Sequence, residues 1–205
     1  MTTLEIILYF IPALLIAISL HETMHSVMGY WLGDDTAKVM GRISFNPLSH
    51  IDPITTILLP LVLAMASLPP FAAAKPVPVN FARLKFEEFG MALVGLAGPL
   101  TNLLLAIIFA LIARLIEPTG WLAKFLIANI SINVGLFVFN MIPFPPLDGS
   151  RVLYAFAPDF IQRGMEKIEG MGFTAILLFM LLGFRFIEPI LVSANQFVLK
   201  FILGG

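Results

Sequence analysis

The chain has 205 residues, 59% of them hydrophobic and only 12% charged, against about a quarter charged in an ordinary soluble domain. That composition excludes a soluble globular protein and points to a multi-pass integral protein of the lipid bilayer, one domain over residues 1–205 with no room for a soluble module. A net charge of −1 offers nothing to nucleic acid, and the absence of cysteine leaves His, Asp and Glu to hold any metal.

In chain order, the first apolar run spans Leu4 to Leu32, enough for one crossing of roughly twenty residues. It lacks a basic n-region and a small-residue cleavage site, so it reads as a retained span rather than a signal peptide. Gly33 to Pro53 is polar and rich in Gly, Asn and Pro, with short alternating pieces that suggest a small β-hairpin beside the membrane. Ile54 to Leu68 is apolar but short and interrupted by Pro60, which suits a re-entrant segment. Phe71 to Glu88 is polar, with alternate prolines that favour an extended backbone. Long helices are expected over Phe89–Ile116 and Trp121–Ile142, the second broken by Pro143, Pro145 and Pro146. A short helix fits Leu147–Ala157. Asp159–Gly170 is charged and exposed, Phe173–Ile187 is apolar, and Ile190–Leu203 is either a last span or an interfacial helix, interrupted at Asn195-Gln196. The expected fold is therefore an all-α polytopic membrane protein with about five to six membrane segments, a re-entrant hairpin among them, and a small β-hairpin after the first helix. A core over about residues 5–155 is followed by C-terminal membrane helices over about 171–203.

His21-Glu22-Thr23-Met24-His25 is an HExxH motif inside the first apolar run. Residues four apart share a helix face, so His21 and His25 can present imidazole nitrogens to one metal ion, with Glu22 beside them as a proton acceptor. Ionisable residues cost several kcal/mol at membrane depth and mark functional sites there. A catalytic zinc usually has a third protein ligand. Asp148, after the proline run, is a candidate, although an Asp there also suits a helix cap. His50, in a His-x-Asp-Pro loop, is the rival; alternatively His50 and Asp52 support that loop by hydrogen bonds. Asn102 and Asn140 either glue helices together or face a substrate as oxyanion donors. Asn129 and Asn133, four apart on one helix, read as packing residues.

HETMH, GRISFNPLSHIDP from Gly41, AAAKPVPVN from Ala72, GPLTN from Gly98 and NMIPFPPLDGSRVL from Asn140 occur in an order that resembles the site-2 protease family of intramembrane zinc metalloproteases. The likeness covers about residues 5 to 155. It implies Zn2+ held by His21, His25 and Asp148, Glu22 as general base, and transmembrane protein substrates cut in or near their membrane segments. Met24 replaces an expected small residue, and Ala72-Ala73 replaces an expected Gly-aromatic pair; both bear on pocket shape and substrate choice.

Topology agrees with a common site if the N-terminus is outside, the site faces the cytoplasm of a prokaryotic cell, and Ile54–Leu68 does not cross. Lys38, Arg42, Lys75, Arg83, Lys85, Arg151, Arg163 and Lys167 then lie inside, while Arg114 and Lys124 lie outside. The Gly33–Pro53 hairpin could then offer an edge strand to an unwound substrate. Rival readings are a non-proteolytic binder of membrane helices and a metal transporter. A binder has no need of Glu22, and three histidines with no cysteine make a poor relay across a bilayer.

Overall fold

Hydrocarbon offers the backbone no water, so a chain this apolar must satisfy its peptide groups within helices. The computed structural model describes residues 2–58, 65, 74–75 and 77–204. Among them, four helices are long and apolar enough to cross a membrane: α1 (Ile6–Trp31), α3 (Glu87–Ile116), α4 (Gly120–Asn140) and α7 (Thr174–Leu203). Between them lie the short helices α2 (Thr36–Val39), α5 (Asp148–Phe156) and α6 (Asp159–Gly170).

Each core span buries one ridge of residues four apart. In α1 it is Ala13, Ala17, His21, His25 and Gly29; in α3 it is Gly90, Val94, Gly98, Asn102, Ala106 and Ala110; in α4 it is Leu126, Ile130, Val134 and Val138. Most of those in α1 and α3 are small, which lets these two backbones approach where lipid gives no hydrophobic drive to associate. Large residues of α3 such as Leu100, Leu104 and Leu111 stay exposed on the opposite side. Lys124 donates to Glu5 at 2.6 Å, joining the starts of α4 and α1. The end of α1 meets the start of α3, where Lys85 N–H donates to the Leu32 carbonyl at 2.8 Å. The spans α1 and α4 thus run parallel, with α3 antiparallel to both, and the second half of α1 lies level with the first half of α3.

Three expectations are corrected. Phe173–Ile187 and Ile190–Leu203, read as separate stretches, belong to one helix, α7, which makes four spanning helices among the described residues; the re-entrant segment counted within the five to six lies mostly outside them. Pro189 sits within α7, and a π-helical turn precedes it at Phe179–Gly183; membrane helices tolerate such proline. Asn195 does not interrupt the helix, since its amide donates to the Leu191 carbonyl at 2.9 Å.

The second correction concerns the β-hairpin: Gly33–Pro53 forms no strand and instead holds α2 and a 3-10 turn at Pro47–Ser49. Side chains take the groups a ladder would have used. Thr23 donates to the Ser44 carbonyl at 2.6 Å and Ser26 to that of Arg42 at 3.3 Å, while the Arg42 guanidinium donates to the carbonyls of Ser49 and Lys75. The edge strand expected there for substrate pairing is therefore missing.

The third concerns boundaries: α4 ends at Asn140 and α5 begins at Asp148 rather than Leu147. The re-entrant segment expected over Ile54–Leu68 lies mostly outside the described residues. Its flanks are described: Lys75 N–H donates to the His50 carbonyl at 2.9 Å. A single crossing between them would part these residues by about 30 Å of hydrocarbon.

Candidate metal centre

The α1 ridge places His21 and His25 one turn apart, with Nε2 atoms 3.0 Å from each other. Asp148 Oδ2 lies 3.1 Å from His21 Nε2 and 3.3 Å from His25 Nε2. The opposite ring nitrogens are engaged: His21 Nδ1 meets Asn102 Oδ1 at 2.6 Å, and His25 Nδ1 meets the Val94 carbonyl at 2.7 Å. A carbonyl oxygen can only accept, so each ring carries its proton on Nδ1 and turns an Nε2 lone pair inward. Two lone pairs and a carboxylate oxygen that finds no hydrogen-bond donor then face one another. Such a group repels itself unless a cation sits among its members. With zinc bond lengths of 2.0–2.1 Å, tetrahedral ligand atoms stand about 3.3 Å apart, close to the triangle seen. His21, His25 and Asp148 could therefore hold a metal ion, and three protein donors leave a fourth position open.

Asp148 reaches the site because the proline-rich turn ends α4 and starts α5 at Asp148 itself. It does not act as the helix cap, since that position is Leu147 and the Ser150 N–H goes to the Leu147 carbonyl at 3.0 Å. Gly149 permits the turn, as a Cβ there would stand 2.3 Å from the Met141 carbonyl oxygen. Gly98 of the GPLTN segment forms the roof of the centre. A Cβ on it would come 2.4 Å from His25 Nε2 and 2.7 Å from His21 Nε2, the space a metal needs.

A cavity of about 560 Å³ opens beside the donors, lined by His21, Glu22, His25, Asn140 and Asp148 among others. Glu22 is half-buried next to the two histidines. Asn140 donates one amide hydrogen to the Leu136 carbonyl at 3.0 Å and borders the cavity. Asn102 does not: it is 0% exposed and its oxygen is spent on His21, so it sits behind the metal donors rather than facing a substrate. His50 also lies apart from the donors, 1% exposed, with Nε2 donating to the Ser44 carbonyl at 2.7 Å. Asp52 accepts from the Thr55 N–H at 2.9 Å, so both residues tie down their loop. Met24 does not border the cavity, and Ala72-Ala73 fall outside the described residues.

The chain is 34% identical over 208 residues to a Bacillus subtilis protein named "Putative zinc metalloprotease YwhC", covering 96% of this chain and 92% of that one. It belongs to the YwhC family of zinc metalloproteases. A Mycolicibacterium smegmatis relative of the family, Rip2, is 26% identical over 170 residues, 82% of this chain, which spans 64% of the length of Rip2. A Methanocaldococcus jannaschii relative, MJ0611, is 43% identical over 67 residues, 33% of this chain and 34% of that protein. Both carry the same zinc metalloprotease description. No family model matches the chain, and no solved structure matches it. The protein is a metalloprotease of the membrane whose cofactor is zinc, and its nitrogen and carboxylate donors suit that metal.

Two contributors to this YwhC-family site were not singled out from sequence. Gly98 is four residues before Asn102, one turn away on the same ridge, a spacing that could have marked it. Asn133, read as packing, accepts a hydrogen bond from Asn102 at 2.9 Å and so adjoins the site. Its spacing of four from Asn129 carried no hint of which helix it faces.

Proposed function

We propose that the protein is a site-2 protease, an intramembrane endopeptidase that hydrolyses peptide bonds in or near transmembrane segments of other membrane proteins. The observation that carries this reading is the donor triangle of His21, His25 and Asp148. Two of its members belong to a helix apolar enough to span the bilayer. When bound, zinc supplies Lewis acidity, polarising a carbonyl and making water acidic near neutral pH.

The chain's own residues do the rest. His21, His25 and Asp148 hold the metal through Nε2, Nε2 and Oδ2. Glu22, on the cavity wall, accepts a proton from the attacking water and passes it to the leaving amine. Asn140, with a second amide hydrogen beyond the one given to Leu136, is placed to donate to the oxyanion or align the substrate backbone. A helical substrate must unwind before its carbonyl is reachable, because its amides are otherwise spent within the helix. The cluster of basic residues near the site end of the molecule supports a cytoplasmic position for it in a prokaryotic membrane.

The test is incubation of the reconstituted protein with intact membrane-protein substrates, read by mass spectrometry. Cuts in or near a membrane segment are expected from the wild type and none from Glu22→Gln. Substrate retained by both proteins without any product would defeat the reading in favour of a helix-binding protein.

A further inference from the structure

A side-chain amide has two ends of nearly equal size, so only its hydrogen bonds decide which end points where. That choice matters at Asn102. With Oδ1 toward His21 Nδ1, the imidazole proton stays on Nδ1 and the Nε2 lone pair faces the metal position. With Nδ2 there instead, the proton moves to Nε2 and blocks ligation. His25 has no such ambiguity, because its Nδ1 partner is the Val94 main-chain carbonyl, which can only accept.

The structure contains a chain of polarity that resolves the ambiguity. The main-chain carbonyl of Asn129 accepts from Asn133 Nδ2 at 2.9 Å. That turns Asn133 Oδ1 toward α3, where it accepts from Asn102 Nδ2 at 2.9 Å. Asn102 must then present Oδ1 to His21. Asn102, Asn129 and Asn133 are each 0% exposed, so no water can replace a lost partner at low cost. The Ala17 carbonyl, 3.3 Å from Asn102 Nδ2, favours the same orientation through a longer bond.

We propose that Asn133 is a positioning residue for the zinc site: by orienting the Asn102 amide it fixes the proton of His21 on Nδ1 and leaves Nε2 free for the metal. The inference rests on the reading of His21 as a zinc ligand. Partners one shell out from a ligand typically change metal affinity 10- to 100-fold. Because Ala17 gives partial support, the expected loss on removing Asn133 lies near the lower end, about tenfold.

The experiment measures zinc affinity of the full chain in detergent by competition with a chromophoric chelator, with helicity and thermal melting as folding controls. Asn133→Leu should bind zinc about tenfold more weakly than wild type. Asn102→Asp provides a reference background, whatever its own zinc affinity, since a carboxylate accepts from His21 in either orientation. In that background Asn133→Leu should cause no further loss, because no amide remains to be oriented. Equal fold-losses in the two backgrounds would assign Asn133 a packing role and overturn the proposal, as would wild-type affinity in Asn133→Leu. His21→Ala separates the two levels. If it keeps wild-type affinity, the ligand reading fails and the proposal with it; if it loses zinc while Asn133→Leu does not, only the proposal fails.

Discussion

Gly98 stands over His25 so closely that a Cβ on it would come within 2.4 Å of the Nε2 atom. The ridge of α3 thus approaches the ridge of α1 with only a hydrogen atom between the helix and the metal position. Ala raises helix propensity over Gly by about 1 kcal/mol, so Gly98→Ala should leave helicity intact. It should nonetheless abolish stoichiometric zinc binding, because the methyl group takes the space of the ion. Elemental analysis beside circular dichroism checks this; a variant with one zinc per chain would show that the centre lies elsewhere.

Asp148 and His50 should behave in opposite ways. Asp148→Ala removes one corner of the donor triangle and should lose zinc and activity together. His50→Ala should keep zinc. Its cost is structural: the part-buried Ser44 carbonyl keeps Thr23 but loses one donor, worth about 0.5–1.5 kcal/mol and visible as a lower melting temperature. The reverse pattern of metal contents would make His50 the third ligand.

Much of this was legible in the sequence because the determining residues are local. The HExxH spacing places two histidines on one helix face whatever the rest of the chain does, and the proline run before Asp148 forces a helix end. The loop over Gly33–Pro53 was not legible in the same way. Its alternating residues suggested strands, yet its carbonyls are taken by Thr23, Ser26 and Arg42, a match that requires knowing that α1 passes beside it. The role of Asn102 stayed open between helix packing and substrate for a related reason, since a buried amide can serve a substrate or a histidine and only the helix packing decides. The merging of two apolar stretches into α7 shows a further limit, because neither Pro189 nor the polar pair Asn195-Gln196 ends a membrane helix that can satisfy its backbone locally.

Asp34 should make stability depend on pH. Burial pushes its carboxyl up, but hydrogen bonds from the Thr36 hydroxyl and from the Asn80 and Thr36 backbone, with the Arg83 charge, bring it below its ordinary value of 3.8. A lowered folded-state pKa contributes stability that is fully present above the unfolded value and fades as pH falls through the folded one. Asp34→Asn should therefore melt lower than wild type at pH 6 to 7, and the gap should narrow as the medium is acidified below about pH 4. A gap independent of pH would show that the charge of Asp34 contributes nothing.

Residues 49 and 75 flank the short apolar stretch and should lie on one side of the membrane, given the hydrogen bond between Lys75 and His50. Cysteines introduced at Ser49 and Lys75 should both react with a membrane-impermeant thiol reagent from the cytoplasmic side only; the native chain has no cysteine to compete. Labelling of the two positions from opposite faces would refute the arrangement.

The most direct measurement concerns Glu22, which borders the cavity beside both histidines without belonging to the donor triangle. Zinc content and product formation are measured on the same preparation of wild type and Glu22→Gln, reconstituted in bilayers with a membrane-protein substrate. Equal zinc and at least a hundredfold loss of cleavage are expected in the variant, the range general acid–base groups contribute being roughly 10²–10⁴. Cleavage by Glu22→Gln at the wild-type rate with zinc in place would contradict the role of Glu22 as the base.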